Sequence, residues 1–167
     1  QDIALTWLLD ASKKLAASTT KKIELIVKLK NNYDHHAEHY KQLLNDKLVH
    51  IVDSKTNLED LFQSVDLVVT TGSTASLEAA ICRRPVIQIA PLYLYEKIFY
   101  VSGLPIAKNF IELEQYMHAA FDDNANFYNN YCSEAKRELA DLDSNWDSIK
   151  ETTNWIVSIA QKNGNQA

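Results

Sequence analysis

The chain has 167 residues, a length that suits one domain with its own hydrophobic core. Seventeen basic against 22 acidic residues give a net charge of −5, which argues against a nucleic-acid-binding protein but leaves room for one locally basic pocket. No apolar stretch reaches the length of a bilayer span and no signal peptide is present, so neither a transmembrane segment nor an export signal is expected.

The first expected element is an amphipathic helix over residues 2–17, with Leu5, Leu8, Leu9, Ser12 and Leu15 at helical spacing. It begins almost at Gln1, so no strand is read ahead of it, and Ser18-Thr19-Thr20 breaks it. Lys22 to Lys30 reads as a strand, with Ile23, Leu25, Val27 and Leu29 alternating against Glu24, Ile26, Lys28 and Lys30. Asn31-Asn32 ends that strand, and a helix is expected from His35 to Leu44. Leu48–Val52 is the next strand, and Asn57 caps a short helix over Leu58–Ser64.

The stretch from Asp66 to Ile89 is the most informative. Leu67, Val68 and Val69 form a short apolar run suited to a buried parallel strand. Thr71-Gly72-Ser73-Thr74 then makes a polar turn in which Gly72 can take a positive φ. Thr74 to Arg83 has helical patterning, with Leu77, Ala80 and Ile81 on one face. Arg83 and Arg84 suit the negative end of that helix, and Pro85 blocks its continuation. Val86 to Ile89 is a second apolar run. A β-turn-α-β unit follows, whose helix starts with hydroxyl residues and free N–H groups, a combination that attracts phosphate. Ser and Thr are also ordinary helix caps, so the turn alone leaves both readings open.

Beyond Ile89, Pro91–Pro105 carries Tyr93, Tyr95, Phe99 and Tyr100 and reads as a long loop or irregular helix. Helices are expected over Phe110–Phe121, over Asn124–Leu139, and from Ser144 or Trp146 to Lys162. The last of these puts Trp146, Ile149, Thr153, Ile156 and Ala160 on one face. Strands separated by helices, with no hairpin signal, imply an α/β fold: a Rossmann-like parallel sheet, strands near 22–30, 47–52, 67–70 and 85–89, flanked by helices. No repeat, linker or second domain is read, so residues 1–167 form a single unit.

The string Asp66, Gly72-Ser73-Thr74, Glu78 and Pro85-Val86-Ile87 resembles the C-terminal donor-binding domain of GT-B-type glycosyltransferases and the related nucleotide-sugar 2-epimerases. Lipid-A-disaccharide synthase and capsule-polysaccharide transferases carry a version of it. The resemblance is sharp over about 25 residues around this string and pattern-level elsewhere. It implies that Gly72, Ser73 and Thr74 hold a donor diphosphate and that Glu78 accepts hydrogen bonds from the nucleotide ribose. Val52, Asp53 and Ser54, at the end of the second strand, would lie beside the base. Lys28 or Lys30, at the end of the first strand, would help neutralise the diphosphate. The family often has a basic residue followed by His-Pro there; this chain reads Lys28-Leu29-Lys30-Asn31-Asn32, so a solvated strand-end lysine is the competing reading.

His35, His36 and His39 form the string HHAEH, in which Glu38 is placed differently from the HExxH of metalloproteases, and no metal is implied. No Ser-His-Asp order or phosphate-binding GxxxxGK[ST] loop is present, and no catalytic residue is assigned. Cys82 and Cys132 lie far apart without metal spacing and read as buried thiols in a reducing, cytoplasmic compartment. The opening Gln1 suggests a fragment or processed product. The expectation is therefore the donor-binding half of a transferase that uses a nucleotide-activated sugar or polyol phosphate in surface polysaccharide or glycolipid synthesis. An N-terminal acceptor domain would complete it, no cofactor beyond the nucleotide-sugar substrate is implied, and peripheral membrane association stays open. The isolated chain is expected to be inactive. The alternatives are a nucleotide-sugar 2-epimerase and a non-catalytic binding domain that kept the fold alone.

Overall fold

The computed structural model of the chain describes residues 2–28, 40, 42, 45–91, 101 and 103–135. The expected last helix, the His35–His39 run and Lys30 lie outside the described residues, as do Tyr93, Tyr95, Phe99 and Tyr100. Within them the elements run α1 (Asp2–Ser18), β1 (Leu25–Lys28), β2 (Val49–Val52), α2 (Leu58–Ser64), β3 (Val68–Thr70), α3 (Ala75–Ile81), β4 (Val86–Ile89), β5 (Ile106–Ala107), α4 (Phe110–Asp122) and α5 (Asn124–Phe127). A π-helical segment, Tyr128–Cys132, continues α5. The fold is mixed α/β and Rossmann-like: short parallel strands flanked by helices.

All strand pairs are parallel, as the alternation of short apolar runs with helices predicts. They form two ladders rather than the one continuous sheet expected. β1 pairs with β2, Leu25 opposite Val49. The second ladder has the order β3-β4-β5, with Val68 opposite Val86 and Gln88 opposite Ile106. β5 lies just past a stretch expected to be loop; two residues are too few to show a period. β1 begins later than the expected strand, since Lys22 to Glu24 precede its pairing with β2, and residues 29–30 lie outside the described residues.

β4 is buried on both faces at all four positions, Val86, Ile87, Gln88 and Ile89. That is the signature of a parallel strand covered on both sides. Each fully buried isoleucine contributes roughly 1.5–3 kcal/mol relative to exposure. α1 contributes Ala4, Leu8, Ala11 and Leu15 to the same core, at the helical spacing read from the sequence. It packs beside α4, where the Lys14 ammonium bonds Glu114 at 3.1 Å and lies over the Phe110 ring. Leu5 of α1 instead packs, as do Leu25 and Val49, against the small cluster of Val27 and Tyr40 on the β1-β2 ladder. One helix therefore reaches both ladders.

The helix ends show local and tertiary control separately. Asn57 caps α2 as expected, its side-chain oxygen accepting from the Glu59 N–H at 2.9 Å. Asn109 caps α4 in the same way through the Glu112 N–H. α3 stops at Ile81, two residues before the expected Arg83. There Arg83 takes φ +58°, its N–H donating to the Ala80 carbonyl while the Arg84 N–H donates to Ala79. These paired bonds form a Schellman closure, where glycine is the usual left-handed residue. The arginines thus lie past the helix instead of in its last turn, and the Arg84 guanidinium donates at 3.1 Å to the Gln63 carbonyl of α2. Arg84 suits a negative helix terminus, but that of the neighbouring helix.

Candidate functional site

The residues between β3 and α3 form a turn that the sequence places well. Gly72 has φ +56°, the left-handed conformation expected of it. Ser73 lies outside the helix, and its side-chain oxygen accepts weakly from the Ala75 N–H at 3.3 Å. Thr74 occupies the cap position with helical dihedrals and no side-chain cap bond. Its exposed hydroxyl is left out of the helix start, and Ser73 does the capping instead.

Ser76 and Thr70 hold the turn from beneath. The Ser76 hydroxyl donates to the Ser73 carbonyl at 2.8 Å, and the Ser76 N–H reaches the same oxygen at 3.1 Å. With its one proton committed there, Ser76 Oγ accepts from Thr70 Oγ1 at 2.6 Å. Ser76 is fully buried. The Ser73 carbonyl is thereby turned into the protein. Among the described residues, the N–H groups of Gly72, Ser73 and Thr74 meet no acceptor within the chain. Successive unpaired N–H groups around a left-handed residue make a concave anion-binding nest. Neither Ser76 nor Thr70 stood out in the sequence; the signal was the serine three residues after Ser73, a spacing that lets a hydroxyl reach back to a carbonyl.

Glu78 lies in the first turn of α3, exposed, with no side-chain partner among the described residues. Side chains lean toward the N-terminus of their helix, so its carboxylate is directed back toward the turn. Asp66 precedes β3 and is exposed; its carbonyl accepts from the Asn124 side chain at 2.6 Å, fixing the strand's entry.

At the end of the other ladder, Lys28 is half-buried and its ammonium donates to the Ser54 carbonyl. It is neither a solvated lysine nor bonded to the Gly72–Thr74 turn: it clips the end of β1 to the end of β2, with two ammonium protons remaining. Val52 closes β2, half-buried. The Asp53 carboxylate accepts from the Lys55 N–H at 2.6 Å and the Asp53 carbonyl from the Thr56 N–H at 3.0 Å, so this segment is a tight turn. In the chain, α2 connects the end of β2 to the start of β3. Ligands of open α/β sheets bind outside the carboxyl ends of the strands.

No protein-family model, no curated protein and no solved structure matches this chain. Among the described residues no helix is long and apolar enough to cross a membrane.

Proposed function

We propose that this domain binds the nucleotide diphosphate of an activated sugar or polyol-phosphate donor, as the donor half of a glycosyltransferase acting in surface polysaccharide or glycolipid synthesis. The observation that carries the reading is the Gly72–Thr74 turn, whose three N–H groups are unpaired and whose carbonyl at Ser73 is held away by Ser76. The resemblance of Asp66, Gly72-Ser73-Thr74, Glu78 and Pro85-Val86-Ile87 to donor-binding domains supports it from a separate direction. In this reading the turn binds the diphosphate and Glu78 the ribose, with Val52–Ser54 beside the base. Fixed N–H dipoles would stabilise the leaving diphosphate without reorganising during reaction. In this reading Lys28 keeps its bond to Ser54 while contributing positive charge toward the diphosphate.

The test is titration of nucleoside diphosphates into the full-length protein and its Glu78→Ala and Glu78→Gln forms, with folding checked by circular dichroism. A charge-assisted bond of about 1.5–3 kcal/mol predicts a loss of roughly 10- to 100-fold in affinity for the alanine form. Binding within about twofold of the parent would remove Glu78 from the site, since a charge merely near the helix start contributes only about 0.3–1 kcal/mol. Incubating the full-length protein with UDP-N-acetylhexosamine, with and without an acceptor, then separates transfer from epimerisation.

A further inference from the structure

We draw no further inference here: the strongest candidate, the surface patch where the exposed Tyr131 ring of the π-helical segment lies against Tyr116 of α4 and Phe127 of α5, carries nothing because the structure does not show what covers it.

Discussion

Gln88 and Val101 exchange two buried hydrogen bonds. The Gln88 side-chain amide donates to the Val101 carbonyl at 2.9 Å, and the Val101 N–H donates to Gln88 Oε1 at 2.8 Å. Gln88 is fully buried in the centre of the β3-β4-β5 ladder. Its side chain acts as a piece of backbone, bonding both main-chain groups of Val101, and so holds the chain against the ladder just ahead of β5.

Gln88→Leu keeps the volume and deletes both bonds, leaving the buried Val101 N–H and carbonyl without partners. Each such group costs about 1–3 kcal/mol, so a loss of roughly 2–6 kcal/mol is expected in urea denaturation. A change under about 0.5 kcal/mol would mean that Val101 finds other partners or water.

Arg83→Gly is expected to stabilise the protein. The left-handed φ of Arg83 costs about 1–2 kcal/mol for a residue with a Cβ, and glycine's extra unfolded-state entropy returns about 0.5–1 kcal/mol of that. The net gain is a few tenths to about 1 kcal/mol, or up to roughly 4 °C in Tm for a protein of this size. Arg83→Ala retains the Cβ and should give none of it, which makes the pair of variants diagnostic.

Asp46 gives a pH-dependent contribution of defined sign. Its carboxylate accepts from the Leu48 N–H at 3.0 Å and pairs with Lys13 of α1 at 2.9 Å. The backbone bond first, and the lysine second, hold its pKa below the ordinary value. A lowered folded-state pKa stabilises the fold above the unfolded value, and the contribution disappears as pH falls through the folded one. Asp46→Asn should therefore destabilise the protein near neutral pH, with parent and variant converging as pH falls well below the ordinary aspartate value of about 3.9. Melting curves that stay separated by the same amount in both ranges would rule this out.

The two cysteines should differ sharply in reactivity. Cys82 is exposed just past α3, contrary to the expectation that both thiols are buried. Cys132 is fully buried in the π-helical segment, its sulfur 3.4 Å from the Val86 nitrogen, and burial pushes its pKa up against the smaller opposing effect of that contact. The thiolate is the reactive form, so alkylation of the native protein should label Cys82 and spare Cys132 until denaturant is added. Equal labelling rates would show that the helix carrying Cys132 does not dock against β4 as the structure has it.

The β3-turn-α3-β4 unit was legible in 24 consecutive residues, Asp66 to Ile89, because each of its signals acts within a few bonds. Leu67 to Val69 and Val86 to Ile89 are apolar runs, Gly72 permits the left-handed turn, and Pro85 lacks the N–H a helix would need. The helix caps Asn57 and Asn109 are local in the same sense, although only the first was read as one. The candidate site was legible to the same extent: the sequence marked Gly72, Ser73, Thr74 and Glu78, while the hydroxyl relay through Ser76 and Thr70 needed three-dimensional placement. Tertiary structure alone decided that Lys28 clips the ends of β1 and β2, that Arg84 serves α2 and not its own helix, and that Ile106-Ala107 is a strand. β5 exists because the Gln88 N–H bonds the Pro105 carbonyl and the Ala90 N–H bonds Ala107, each at 2.9 Å. Such contacts join residues far apart in the chain, and their loop-closure entropy is repaid only by the assembled core. Two-residue strands and side chains that reach a neighbouring helix therefore leave no periodic trace in the sequence.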